Sequence, residues 1–169
     1  MGKNRLRMTV IAANQAADVV KSKSMKLTPI EDKQSREPII NLLKENALPV
    51  DDIGDNTLLF GFLNDDELSG SAGLEVFEDC ALIRSISIQK KLQGKGYGVM
   101  LQKELEQIAL SRNIRCLYLL TTTAEGFFKK QGFMTIQRDE VPDTIRSTSE
   151  FSSVCPSTAI VMKKILVNE

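Results

Sequence analysis

The chain contains no histidine. That absence excludes Ser-His-Asp and Cys-His nucleophile systems and every histidine-ligated metal site, because each needs an imidazole to carry a proton or bind the ion. Cysteine is scarce: Cys80, Cys116 and Cys155 lie far apart, form no CxxC pair and are odd in number. This pattern argues against a disulfide framework and fits the reducing cytoplasm. A three-thiol site for a soft acceptor gains no support from the spacing; Cys80 and Cys116 read as strand residues and Cys155 as packing. An excess of either charge is missing too, with Lys+Arg and Asp+Glu at 22 each. Composition therefore supports neither a basic surface for nucleic acid nor an acidic tail. No apolar run approaches the about 18 residues of a membrane span, so no membrane partner is expected.

The length of 169 residues suits one domain with a sizeable core. Residues 1–24 start basic and turn mildly apolar, but Asn14, Gln15 and Asp18 interrupt the apolar part and no convincing cleavage site follows. They read as an N-terminal extension, disordered or partly helical, before a domain over 25–169. Within it, MKLTPI (25–30) reads as a strand and 31–48 as a helix from its apolar spacing, with Pro38 ending or beginning a helical piece. Residues 57–64, 67–79 and 81–88 read as a meander of three strands, with Gly70 and Gly73 as bulge points. A helix over 96–112, a strand over 114–121, a short helix over 123–131 capped by Thr122 or Thr123, and a strand over 133–138 follow. A long polar loop, 139–157, precedes a last strand, 158–166. The order β-α-β-β-β-α-β-α-β-loop-β predicts an α/β (α+β) fold, not a doubly wound nucleotide fold.

Between the third meander strand and the long helix lies QGKGYG, residues 93–98. A helix N-terminus exposes unpaired N–H groups and partial positive charge, and phosphate is a usual occupant. Gly94, Gly96 and Gly98 remove side chains that would hold a diphosphate away, and Gln93 and Lys95 offer further donors. Tyr97 either covers the phosphates or packs at the helix start. Neither the Walker pattern nor the dinucleotide fingerprint is met. A helix entry that binds nothing remains the alternative.

The run ISIQKKLQGKGYGVMLQKELEQIAL resembles the acyl-CoA motif of the GNAT acetyltransferase superfamily, with Gln93, Gly96 and Gly98 at its Q-x-x-G-x-G positions. TTTAEGFFKKQGF (121–133) is similar to a second motif, through Ala124, Lys130, Gly132 and Phe133. More narrowly, LIRSISI, LYLLTTTAEGFF and the segment Pro142 to Pro156 resemble N-acetyltransferases associated with arsenic resistance. The resemblance implies the GNAT fold, a central mixed, mostly antiparallel sheet of about 6–7 strands with about four helices. It implies acetyl-CoA as co-substrate and a small-molecule amine as acceptor, with pantetheine along Ile86, Ser87 and Ile88 and pyrophosphate on backbone N–H groups from Gln93 to Gly98. Thr121 and Phe128 stand at motif positions beside the cofactor. Oligomeric state is open, a homodimer included.

Such a transfer must deprotonate the amine, stabilise an oxyanion and protonate a leaving thiolate. Without histidine the base is a carboxylate or a water path; Glu75, Glu125 and Glu150 are the candidates, each also readable as a structural charge. The tyrosine that serves many relatives as acid is Phe128 here, the motif asparagine is Thr121, and a glutamate base found in some members falls on Leu82. Water then protonates the thiolate, or the chemistry relies on positioning. Alternation places Leu82, Arg84, Ile86 and Ile88 on one strand face. Arg84 is a surface arginine, an internal salt bridge or a clamp for an anionic acceptor, and Arg146 either binds ligand or is an ordinary loop charge. The expected activity is acetyl transfer to a small anionic amine, with a link to arsenic resistance; the alternative is a catalytically weak acyl-CoA-binding or sensing domain.

Overall fold

A computed structural model describes residues 25–167 of the chain. The expected extension, 1–24, lies outside the described residues. Seven strands form one sheet in the order β1-β2-β3-β4-β5-β7-β6. They are β1 (Met25–Pro29), β2 (Thr57–Asn64), β3 (Glu67–Phe77), β4 (Cys80–Ile88), β5 (Cys116–Thr121), β6 (Met134–Ile136) and β7 (Ile160–Ile165). All neighbours are antiparallel except β4 and β5. That parallel pair needs a crossover, and the long helix supplies it. The mixed, mostly antiparallel sheet is the fold expected from the sequence.

Helix α1 (Lys33–Glu45) begins at Asp32, whose side chain accepts from the Ser35 N–H at 2.8 Å. It runs unbroken through Pro38. Pro38 sits where its missing N–H would have met the Gln34 carbonyl, and both residues are exposed, which leaves that carbonyl open to solvent. Helix α2 (Tyr97–Ser111) buries Leu101, Leu105 and Ala109, a stripe spaced four apart. Helix α3 (Glu125–Lys130) ends at Gly132, whose φ of +88° is left-handed. Its start departs from the expected caps: Thr121 Oγ1, not Thr122 or Thr123, accepts from the Ala124 N–H at 2.9 Å.

Each face of the sheet has its own core. Phe60, Phe62, Leu74 and Ile83 pack with the α2 stripe, Phe128 and Phe133. On the other face, Leu59 meets Ile39 and Leu43 of α1, while Leu82, Tyr118 and Val161 meet Val141, Ile145 and Phe151. Those last three residues correct the expected polar loop. Residues 139–157 carry a short helix, α4 (Asp143–Arg146), and a π-helical turn, Glu150–Val154, anchored by these buried side chains. No described helix is long and apolar enough to cross a membrane.

Phe62 is fully buried, whereas Ile165 is 63% exposed. Phe62→Ala should cost about 3–5 kcal/mol in urea unfolding and Ile165→Ala no more than about 0.5 kcal/mol; equal losses would contradict this core.

Candidate active site

β4 and β5 pair only over Cys80↔Cys116, Ala81↔Leu117 and Leu82↔Tyr118. Beyond Leu82 they part, while β5 stays paired with β7 as far as Thr121↔Ile160. On its other side β4 breaks register with β3: Ser71 faces Ser87 but Gly73 faces Arg84, so Ala72 opposes both Ser85 and Ile86. This is a β-bulge, and Ser85 takes a φ of +55° within it. Ser71 Oγ donates to the Ser85 carbonyl at 2.9 Å across the break. The bulge overturns the expected alternation. Leu82 belongs to the α4 face, but Ile86 and Ile88 pack into the α2 core.

The parting strands open a cavity of about 410 Å³, lined by Ile83 to Ile86 of β4, Leu119 to Ala124 from the end of β5 and the turn beyond it, Phe127, Phe128, Glu150 and Cys155. Ile86, Thr123, Ala124 and Phe127 also line a more open groove of about 1050 Å³ that reaches Ser87, Ile88, Gln93, Gly94, Gly96 and Gly98. Thus the sheet opening and the glycine turn share walls.

Gly94 and Gly96 have φ of +74° and +89°, and a Cβ on either would meet nothing within 4 Å. Both left-handed conformations and an unfilled approach from outside explain glycine here. Among the described residues, the backbone N–H groups of Gly94 to Val99 find no acceptor, while Gln93 N–H already bonds Lys90 at 3.3 Å. The available donors therefore begin at Gly94, one residue later than expected. Gln93 Nε2 donates to the Ile88 carbonyl at 3.0 Å, joined there by Asn46 Nδ2 at 3.1 Å. Asn46 also donates to Ser87 Oγ. Gln93 and Asn46 thus pin the end of β4, and one of the two N–H donors of the Gln93 amide is committed there. Lys95 is exposed and lines neither hollow, and Tyr97 packs against the α2 core.

At the inner end of the cavity Arg84 is 4% exposed. Its Nη1 donates to Glu75 Oε1 at 2.7 Å and its Nη2 to Asp52 Oδ1 at 2.6 Å. Glu150 Oε2 stands 3.6 Å from Arg84 Nε, and neither atom has a hydrogen-bond partner within the described residues. Burial works against the Arg84 charge, but the bonds to Asp52 and Glu75 more than offset it and raise its pKa. Burial likewise works against the Asp52 charge, yet bonding and attraction from Arg84, with the Ser149 hydroxyl, hold it below the usual carboxylate range. Glu150 goes the other way. Burial pushes it up to about 7; Arg84 opposes that, and Asp52 and Glu75 add to it. Cys155 Sγ lies 3.8 Å from Glu150 Oε1, and burial and that carboxylate push the thiol up to about 11.

This cluster corrects the clamp expected of Arg84: three carboxylates surround the guanidinium, which is the internal ion-pair arrangement. Arg146 pairs with Asp143 on the exposed side of α4 and lines neither hollow. Of the three glutamates, Glu75 and Glu150 meet around Arg84. Glu125 lies on the surface, its carboxylate lowered by bonds from Lys129 and Thr135. Thr121 and Phe128 both line the cavity; Phe128 also belongs to the core, edge-on to Phe127 and Phe133. Cys80 and Cys116 face each other across β4 and β5, apart from Cys155 in the cavity wall.

The sequence reading missed Asp52, Asn46 and Phe127. Asp52 lies in a turn-rich stretch without periodicity, where nothing marks one acidic residue as buried. Asn46, one residue past α1, reads as a helix stop. Phe127 is adjacent to Phe128 in the sequence, and only the fold shows its ring beside the glycine turn, where a Cβ on Gly98 would stand 3.4 Å from it.

Comparison with known proteins gives the same assignment. An amino-acid acetyltransferase of Neisseria meningitidis (serogroup A) is 33% identical over 85 residues, 49% of this chain but 20% of that protein. The chain therefore spans a fifth of that relative. N-acetylglutamate synthase from Neisseria gonorrhoeae, complexed with coenzyme A and N-acetyl-glutamate, superposes with a TM-score of 0.68 at 22% identity, covering 86% of this chain and 36% of that one. An acetyltransferase from Streptococcus agalactiae superposes at 0.64 with 18% identity, covering 85% of this chain and 99% of that one. The acetyltransferase (GNAT) family matches residues 26–133. That span holds the bulged β4, the glycine turn, α2 and β5, and the chain belongs to the acetyltransferase (GNAT) family.

Proposed function

We propose that the chain transfers the acetyl group of acetyl-CoA to the amine of a small molecule. The observation that carries this reading is the union of two features in one hollow. The backbone N–H groups of Gly94 to Val99 have no acceptor among the described residues, and the opened β4–β5 edge shares side walls with that turn. A diphosphate supplies acceptor oxygens to such a turn, and the dipole of α2 favours its charge. A pantetheine arm is long, flexible and amide-bearing, and it suits a groove leading past Ser87 and Ile86 into the cavity. There the thioester meets the acceptor amine.

In the reaction the amine nitrogen attacks the thioester carbonyl. A C–N bond forms, the C–S bond breaks, and the thiolate leaves with its electron pair and takes a proton. Phe128 brings no hydroxyl for that last step, so the proton comes from water or from the nitrogen that has just reacted. Much of the rate then comes from holding the two substrates in register. The same Phe128 favours one second reading, an acyl-CoA-binding or sensing domain without useful turnover. The three free cysteines suit a reducing compartment, the cytoplasm. The resemblance of the Pro142–Pro156 segment to arsenic-resistance N-acetyltransferases, and the anionic acceptor expected with it, place amino-arsenicals and anionic amino acids among the amines to try.

The test is release of free CoA thiol from acetyl-CoA across a panel of small amines, with acetyl-CoA binding measured in parallel. Turnover with at least one amine, with the acetyl group recovered on nitrogen, is expected. Binding with no turnover would establish the sensing domain, and no binding would overturn both readings. Gly96→Val leaves the fold room for its side chain but strains a φ of +89°, so it should raise the KM for acetyl-CoA by about tenfold with kcat little changed. An unchanged KM would remove the turn from the cofactor site.

A further inference from the structure

Between α1 and β2 the chain is fastened to β4 twice. Asn46 Nδ2 donates to the Ile88 carbonyl at 3.1 Å and also to Ser87 Oγ, so both N–H groups of its amide are spent on the last two residues of that strand. Further along, Asp52 Oδ1 accepts from Arg84 Nη2 at 2.6 Å, and the Asp52 carbonyl accepts from Nη1 at 3.4 Å. The bulge at Ser85, with its φ of +55°, lies between the two fastenings. Residues 46–52 are therefore a strap across the irregular part of β4, the part that borders both hollows.

The backbone of the strap aims it there. Ala47 N–H donates to the Lys44 carbonyl at 3.0 Å and Leu48 N–H to the Leu43 carbonyl at 2.9 Å, a helix ending that glycine usually makes. Here Ala47 makes it, with a left-handed φ of +56° that disfavours any side chain. Such strain persists where the surroundings over-determine it. Asn46 is one restraint; Leu48, Val50 and Ile53, packed against Ile39 and Leu43, are the other. As a result Ala47 and Leu48 line both the groove and the cavity, and Pro49 lines the cavity.

We infer that Asn46 is a positioning residue for the transfer: its amide sets the distance between the β4 edge along which the acyl donor lies and the strap against which the acceptor sits. The inference rests on the acetyltransferase reading. Asn46 belongs to the strap by its backbone and holds the strand by its side chain, so it acts on where the two substrates meet and not on the reacting atoms. Attack needs the nitrogen about 3–3.5 Å from the thioester carbon, and a misplacement of about 1 Å costs on the order of 100-fold in rate. Removing the amide leaves the rest of the donor site in place. Gln93 Nε2 still holds the Ile88 carbonyl at 3.0 Å, and the N–H groups of the glycine turn belong to the start of α2. The donor then still binds, but out of register with the acceptor.

The experiment uses the full chain with acetyl-CoA and the fastest amine of the panel. Asn46→Ala should lower kcat at least about tenfold and change the KM for acetyl-CoA by less than about threefold, the reverse of the split expected for Gly96→Val. Ser87→Ala removes one of the two acceptors and should lower kcat by less. The double variant should lose no more than Asn46→Ala alone, because the Ser87 hydroxyl acts through Asn46. Asn46→Asp keeps the shape and accepts from the Ser87 hydroxyl but has no donor for Ile88, so its kcat should fall between wild type and Asn46→Ala. Melting curves show which variants are folded at the assay temperature, and Asn46→Asp carries the test if Asn46→Ala is not. If the folded variant keeps the wild-type kcat, if only its KM for acetyl-CoA rises, or if the Asn46 and Ser87 losses simply multiply, the inference falls and the acetyltransferase reading stands. If the wild type turns over no amine, both fall.

Discussion

One guanidinium holds four separate parts of this chain together. Arg84 sits on β4 and reaches Glu75 on β3, Asp52 in the stretch after α1 and Glu150 in the segment before β7. Taking such charges out of water is expensive, and their mutual attraction repays it only if the geometry is tight. Two of the contacts, at 2.6 and 2.7 Å, are tight and the third, at 3.6 Å, is not. The loose member is the one in the cavity wall. The network therefore divides into an anchored half, which fixes β3, β4 and the α1 stretch, and a more loosely held carboxylate, Glu150, in the cavity wall.

The opening itself follows from hydrogen-bond bookkeeping on β4. A parallel partner runs beside it for three residue pairs and then departs with β7, while the bulge at Ser85 interrupts the ladder to β3 almost at the same level. Asn46 and Gln93 then take hold of the strand's last carbonyl. Between those two restraints, the strand edge at Ile86 and Ser87 borders the groove. A regular sheet would have closed this space with side chains from both strands.

Much of this was legible from residues alone. The order of elements, the three-stranded meander and the glycine turn at a helix start all follow from local periodicity and turn chemistry, which act over a few residues. The failures share a cause: each depends on contacts between distant segments. Alternation correctly put Leu82 and Arg84 on one face but carried past Ser85 it misplaced Ile86 and Ile88, because an extra residue in one strand is invisible without its partner. Residues 139–157 looked like polar loop because the anchors Val141, Ile145 and Phe151 are spread among serines and threonines. Arg84 was recognised as costly in an apolar strand, yet its partner Asp52 lies 32 residues away in a stretch with no pattern. Glu150 was one of three equal candidates; only burial separates it from Glu125 on the surface.

β6 and β7 are antiparallel neighbours, with Ile136 opposite Val161, so the chain leaves the sheet and returns to it at nearly the same place. Everything between is an excursion whose two ends are already fixed. Closing a longer excursion across such a gap adds only about 0.6 kcal/mol for each doubling of length. This excursion brings Glu150 and Cys155 to the cavity but contributes nothing to the glycine turn. On the proposed acetyltransferase reading, the half that would hold the acetyl donor and the half that would receive the acceptor can therefore be inherited separately. Insertions, deletions or wholesale replacement between the two strand ends would give descendants of this chain new acceptors while the donor machinery passed on unaltered.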